Sequence, residues 1–288
     1  MTSNAAVVDA TRHIDLHLHS TASDGIQPPE VVVHSARAAG LRAIALTDHD
    51  TVDGIPAATG AAAESGLTLV PGVELSAYDG AHEVHILGLH LRDVDDMRSA
   101  LAVFRVARRE RAEGIVRRLN ELGVRITFDD VLAVAKDAAI GRPHVARAMV
   151  ENGWAMDLRD AFDRYLGAGR PAYLEKRRIT IPEAIALIHR CGGISVLAHP
   201  GADGDREHLE AMAAFGLDGV EVIHPSHSPD DRARLLALSR HLNLVPSGGS
   251  DSHGSADGIR VVGAMKVPGD WLDVQLERVR VIRGRGLS

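Results

Sequence analysis

Thirteen residues near the start of the chain, "HIDLHLHSTASDG" from His13 to Gly25, hold three histidines and two aspartates. In a strand successive side chains alternate between faces, so Ile14, Leu16 and Leu18 share one face while Asp15, His17 and His19 share the other. Neutral imidazole with carboxylate is the donor set of Mn, Zn or Fe. The same residue types recur where later apolar runs end: His49 in "LTDHD", Glu74 in "PGVELS", His85 in "VHILG", His199 in "LAHP", and Asp251 and His253 in "GSDSH". With His17, His19 and Asp24 they make six imidazoles and three carboxylates. One tetrahedral or octahedral ion cannot use nine ligands, so two or three ions are expected, and Glu74 is suited to bridge a pair of them. Closely spaced ions share a hydroxide, orient a phosphoryl group and neutralise a leaving oxygen.

These residues need elements that bring them to one place. The runs "RAIALTDHD", "LTLVPGVELS", "EVHILGL", "GISVLAHP", "GVEVIHPSH", "LNLVPSGGSDSH" and "IRVVGAMKV" are apolar without alternation and read as strands covered on both sides. Helical segments lie between most of them. "PPEVVVHSARAAG" opens on prolines and closes on Gly40, "TIPEAIALIHRCGG" has Thr180 and Glu183 in capping-box spacing, and "SPDDRARLLALSR" starts on Ser228 with Asp231 three later. Strands alternating with helices imply an α/β fold with a parallel sheet, open or closed into a barrel. The polar residues fall at the carboxyl ends of the strands, the edge where such folds carry their sites. Residues 98–178 break this rhythm. They read as helices throughout, a helical insert or lid between a first part at 13–97 and a second at 179–288.

The bulk properties narrow the function. A net charge of −7 over 288 residues argues against coating long nucleic acid, which takes many Lys and Arg against phosphates. Divalent ions in one cleft keep a small phosphorylated ligand compatible with that total. No apolar run is long enough to span a membrane, and the start lacks a leader pattern, so a cytoplasmic monomer with no membrane partner is expected. Cys191, the single cysteine, reads as a buried structural thiol at a helix end.

The segments "DLHLHSTASDG", "LTDHDT", "PGVELS", "VHILG", "LAHPG" and "GSDSHG", in this order, closely resemble the motifs of the PHP (polymerase and histidinol phosphatase) family of metal-dependent phosphoesterases. The resemblance covers 13–100 and 179–260. Within the family, the placement of the insert with "GRPHVARAMV", "YLGAGRP" and "EVIHPSHS" looks most like the bacterial TrpH type, the ribonuclease AM or nucleoside 3′,5′-bisphosphate phosphatase branch. The resemblance implies a distorted (β/α)7 barrel with a trinuclear site, manganese first among Mn, Fe and Zn. His17, His19, Glu74 and Asp251 would hold the first ion. Glu74, His85 and His199 would hold the second, and Asp24, His49 and His253 the third. Spacing inside "VHILG" favours His85 over the nearby His82 and His90. The implied activity is hydrolysis of a phosphate ester by metal-bound hydroxide, on 3′,5′-bisphosphorylated nucleosides or the 5′ end of short single-stranded RNA.

Other residues have two readings each. Glu74, Asp251 and His224 are the expected catalytic set, and either His224 or His227 meets phosphate or the leaving group. Arg142 and Arg170, each in G-R-P, clamp substrate phosphate or simply begin helices. Asp15 and Asp48 fix imidazole tautomers or act as caps. Three alternatives compete: a histidinol-phosphate phosphatase, an amidohydrolase and a non-enzymatic metal-binding PHP module. Binuclear amidohydrolases often carry a carbamylated lysine at a strand end, and all three lysines here, Lys136, Lys176 and Lys266, lie outside the ligand strands.

Overall fold

A computed structural model describes residues 13–80, 82–135, 140–175, 179–254 and 258–285. Lys136 and Lys176 therefore lie outside the described residues. The chain forms two compact units, one from the portion up to Arg98 together with the portion from Ile179 onward, the other from Ser99–Arg178.

In the first unit the elements follow as β1 (His13–Asp15), α1 (Pro29–Ala38), β2 (Ala43–Leu46), α2 (Ile55–Ser65), β3 (Thr68–Pro71), β4 (Val73–Asp79) and β5 (His82–Leu89). After α3 (Val94–Glu121), which runs on into the second unit, and the helices of that unit, α4 (Phe128–Ala135), α5 (Arg142–Glu151) and α6 (Leu158–Ala161), the first unit resumes. It continues with β6 (Ile179–Thr180), α7 (Ile181–Arg190), β7 (Ile194–Leu197), α8 (Arg206–Ala214), β8 (Gly219–Ile223), α9 (Pro229–His241), β9 (Val245–Gly248), β10 (Val267–Pro268) and α10 (Trp271–Arg285). The strands form two sheets, in the orders β10-β1-β2-β3 and β6-β4-β5-β7-β8-β9.

The α/β alternation is present, but the sheets are mixed rather than parallel. β5 runs antiparallel to both β4 and β7, and β10 antiparallel to β1. The link from Asp79 to His82 is too short for a crossover, so β4 and β5 can only be antiparallel neighbours. The run "LTLVPGVELS", read as one strand, is two. A Cβ on Gly72 would lie 2.8 Å from Thr47 Cγ2 and 2.9 Å from the Leu46 carbonyl, so glycine lets the chain squeeze past the end of β2 and change sheets. Of "IRVVGAMKV" only Val267 is strand, paired in β10 with Pro268 just beyond it, because the chain turns at Gly263, whose φ is 75°.

Main-chain hydrogen bonds also connect the two sheets. Past Asp15 the chain accepts at His17 from Asp251 N (2.9 Å) and donates from His19 to Ser252 O (3.0 Å), beyond β9. Past β2, Asp50 N donates to Glu74 O (2.8 Å) and Glu74 N to Asp48 O (3.2 Å). Ile14, Leu16, Ala45, Leu87, Val196, Val245 and Val267 pack into one apolar core, with Leu272 and Val279 of α10. The helix starts follow the spacing in the sequence: Glu183 accepts from Thr180 N at 2.8 Å, and Asp231 from Ser228 N at 3.1 Å. Cys191 is the buried C-cap of α7, where burial pushes its thiol up.

The second unit has helices and no strand among its described residues. Ile115, Leu119, Val131, Val145, Met149 and Leu166 form its core. A single π-helical turn, Phe162–Leu166, follows α6.

Among the described residues, no helix is long and apolar enough to cross a membrane.

Candidate metal centre

The strand alternation read from the sequence sends Ile14, Leu16 and Leu18 into the core and His17 and His19 to the end of the sheet, all buried. There they meet Glu74, which follows β4's first residue. Glu74 Oε2 lies 3.3 Å from His17 Nε2, 3.3 Å from His19 Nε2 and 3.1 Å from His49 Nδ1. Its Oε1 lies 2.8 Å from His85 Nδ1 and 3.1 Å from His199 Nε2. One carboxylate thus faces five imidazoles. Asp251 Oδ1 sits 3.1 Å from His19 Nε2 and 3.4 Å from His17 Nε2. Asp24 stands 3.3 Å from His253 Nε2 and 3.8 Å from both His19 Nδ1 and His49 Nε2. All nine residues singled out in the sequence come together.

The donor atoms group into sets able to hold an ion. His19, Asp24, His49 and His253 form one, His17, His19 and Asp251 another; His17, Glu74 and His199, and His49, Glu74 and His85, form two more. In each the atoms lie within 4.8 Å of one another. His85 and His199, expected together, fall into separate sets that share Glu74. His82 is exposed at the far end of β5, and His90 bonds Gln275, so His85 is the histidine of its strand in the cluster.

The electrostatics are those of a site organised around positive charge. His17 Nε2, both nitrogens of His19, Glu74 Oε2 and His85 Nδ1 are buried without a hydrogen-bond partner, a costly condition for polar atoms. Burial would raise the Glu74 pKa, yet His17, His19 and His199 hold it well below the usual carboxylate range. Burial would lower His19, but Asp251 and Glu74 push it up to about 9. His49 goes the other way, to about 4, because burial dominates. Imidazolium protons here balance the carboxylates, a task that bound cations would take over.

Two backbone strains mark the same place. His199 and Asp251 take φ of 30° and 50°, left-handed values unusual for residues with a Cβ.

The supporting residues differ in part from expectation. Neither Asp15 nor Asp48 touches an imidazole. Asp48 accepts from Ser20 N (2.7 Å), Ser20 Oγ (2.8 Å) and Ser23 Oγ (2.7 Å), pinning the turn that presents Asp24. Asp15 accepts from Ser250 N and Gly263 N, both at 2.9 Å, and so ties the two ends of the loop carrying Asp251 and His253. Main-chain N–H groups take the oxygens of Asp15, and one main-chain N–H with two serine hydroxyls takes those of Asp48. The group that orients imidazole is Glu221, which the sequence reading missed. Its Oε1 lies 3.1 Å from His17 Nδ1, and its Oε2 accepts from His199 N at 2.7 Å. An acid between Val220 and Val222 of an apolar run was the available signal.

His224 Nε2 lies 3.3 Å from Asp251 Oδ2, while its Nδ1 accepts from Ser226 N at 3.1 Å. His227 is turned to the main chain, with Nδ1 donating to Val222 O (3.0 Å) and Nε2 accepting from Gly201 N (3.1 Å). Both nitrogens are spent on bracing two loops. Arg142 and Arg170 belong to the second unit. The Arg142 guanidinium lies 5.6 Å from the Phe162 ring centroid and 5.4 Å from that of Tyr173, and donates to Leu166 O at 3.2 Å; Arg170 is exposed. Arg260, also missed, bonds Asp251 Oδ2.

The chain is 39% identical over 247 residues to the 5′-3′ exoribonuclease Rnm of Salmonella typhimurium, covering 83% of this chain and 84% of that one. It is 36% identical over 258 residues to the 3′,5′-nucleoside bisphosphate phosphatase of Chromobacterium violaceum, covering 87% and 90%. A Bifidobacterium adolescentis structure assigned as a metal-dependent phosphoesterase superposes with a TM-score of 0.76 at 36% identity, over 93% of this chain and 96% of that one. The family model of the PHP domain matches residues 15–175, and this chain belongs to the PHP domain family.

Proposed function

We propose that this chain is a metal-dependent phosphoesterase acting on 3′,5′-bisphosphorylated nucleosides, on the 5′ end of short RNA, or on both. The observation that carries the reading is Glu74, buried, facing five imidazoles, several of whose inward atoms have no partner. Two or three divalent ions, manganese first, fit that donor set. His17, His19, Glu74 and Asp251 would hold one, Glu74 with His85 and His199, from its two neighbouring sets, a second, and Asp24 with His49 and His253 a third. Bound there, such ions supply Lewis-acid activation of water and neutralise phosphoryl oxygens.

The chain's own residues supply the rest. Glu221 fixes the His17 ring and holds the main chain at His199, so two ligands share one anchor. Asp48 and Asp15 hold the loops of Asp24 and of Asp251 in place before any substrate arrives. This prior ordering lowers the cost of assembling the site. The hydrogen bonds between the two sheets support closure into a distorted (β/α)7 barrel whose strand ends converge on the cluster. Residues 99–178 then form a helical insert. The names of the relatives in Salmonella typhimurium and Chromobacterium violaceum support the nucleotide substrates over histidinol phosphate.

Elemental analysis of protein purified without chelator, followed by assay on a 3′,5′-bisphosphorylated nucleoside, 5′-phosphorylated RNA and histidinol phosphate, tests the reading. Two to three transition-metal ions per chain and turnover of the first two substrates are expected. Full activity in metal-free protein, or turnover of histidinol phosphate alone, would overturn it.

A further inference from the structure

Arg260 touches a carboxylate of the histidine cluster through its guanidinium. Its guanidinium bonds Asp251 Oδ2, the oxygen that also faces His224 Nε2 at 3.3 Å. The other oxygen, Oδ1, faces His19 and His17. Asp251 therefore has one side toward the ion-holding atoms and one side toward Arg260.

The position of Arg260 is built into the fold. Asp251 and His253 follow Ser250, Arg260 precedes Gly263, and Asp15 accepts from the main chain of both Ser250 and Gly263. Asp15 is buried at the end of β1, two residues before His17 and four before His19. One carboxylate thus fixes the loop of Arg260 relative to the two histidines at the centre of the cluster. The Arg260 side chain remains 46% exposed, as Asp24 does at 55%, beside the buried His17, His19 and Glu74.

A guanidinium offers five N–H donors in one plane, and a single carboxylate oxygen does not exhaust them. The cluster itself contains four carboxylates, Asp24, Glu74, Glu221 and Asp251, so an arriving anion needs local positive charge at the rim. Arg keeps its charge at any working pH and matches the spacing of phosphate oxygens.

We propose that Arg260 is the phosphate-contacting side chain of this site, bonding a non-bridging oxygen of the phosphoryl group being cleaved while it holds Asp251 in place. This rests on the phosphoesterase reading. Because the cleaved group is common to all substrates, Arg260 serves hydrolysis in general and not the choice of nucleotide.

The test uses manganese-loaded wild type, Arg260→Ala and Arg260→Lys. Binding of inorganic phosphate is measured by calorimetry, ion content by elemental analysis, and kcat/KM on a nucleoside 3′,5′-bisphosphate and on an aryl phosphate. The Ala variant should keep its ions, bind phosphate about ten- to a hundredfold more weakly, and lose a similar factor in kcat/KM on both substrates. The Lys variant should recover part of the loss, having the charge without the planar fork. Wild-type phosphate affinity in the Ala variant would overturn the proposal. So would joint loss of ions and phosphate binding in both variants, which would make Arg260 only a partner of Asp251. If wild type hydrolyses neither substrate, the functional reading fails, and phosphate binding still decides the role of Arg260.

Discussion

The two ends of the first unit bury the same residue types and treat them in opposite ways. At the end where β7 and β8 finish, His17, His19, His85 and Glu74 carry buried atoms without hydrogen-bond partners. At the end where they begin, buried groups such as Asp218 and His90 are paired. Asp218 accepts from Ser195 N (2.9 Å) and Ser195 Oγ (3.1 Å) and meets His189 Nε2 at 2.6 Å. His90 Nε2 lies 3.1 Å from Gln275 Oε1, whose amide donates to Pro246 O, while Arg283 donates to the His90 carbonyl. A buried polar group left without a partner costs about 1–3 kcal/mol. One end therefore spends stability and the other preserves it, and the orphaned imidazole and carboxylate atoms fall in the groups that could hold a metal ion.

The contrast is broken most directly at Glu74. Glu74→Gln should empty the ion sites and reduce turnover by about a thousandfold, with far-UV circular dichroism unchanged because the apolar core is untouched. Wild-type ion content and turnover in that variant would end the distinction between the two ends.

At the paired end, His90 gives a pH signature. Burial pushes its pKa down to about 4, below the unfolded value of 6.5. A depressed folded pKa contributes stability that is present above pH 6.5 and lost as pH falls toward 4. His90→Asn, which tolerates the left-handed φ of 59° there, should remove about 3 kcal/mol of acid sensitivity over that window. Denaturant titrations of both proteins at pH 7 and pH 4.5 measure the difference; parallel losses would show that His90 is not the sensor.

Glu221 belongs to the ion end although it is itself paired. Replacing it by Gln should weaken ion affinity or turnover by about ten- to a hundredfold, the usual scale for a group that orients a ligand. An unchanged ion affinity would place Glu221 with the structural acids. The smallest effect is expected at Asp218, where Asp218→Asn should lower stability by about 1–2 kcal/mol without altering ion content, read by thermal unfolding beside elemental analysis. A loss of ions there would join the two ends functionally.

Much of the site is local information. The H-x-H spacing on one strand face, the helix caps at Thr180 and Ser228, and the placement of polar residues where strands end follow from backbone periodicity and short-range hydrogen bonding. Those rules act within a few residues, so the sequence by itself determined the α/β alternation, the family and the nine residues that converge. The partners of buried acids are set at long range. Glu221 and His17 lie 204 residues apart, and Asp15 and Gly263 lie 248 apart. Only the tertiary structure decided that Asp15 braces a distant loop, that His227 spends both nitrogens on main chain, that Gly72 splits one apolar run between two sheets, and that Arg260 reaches Asp251. The physical reason is that a side chain's type limits the bonds it can make, whereas the fold chooses which of the possible partners comes within 3 Å.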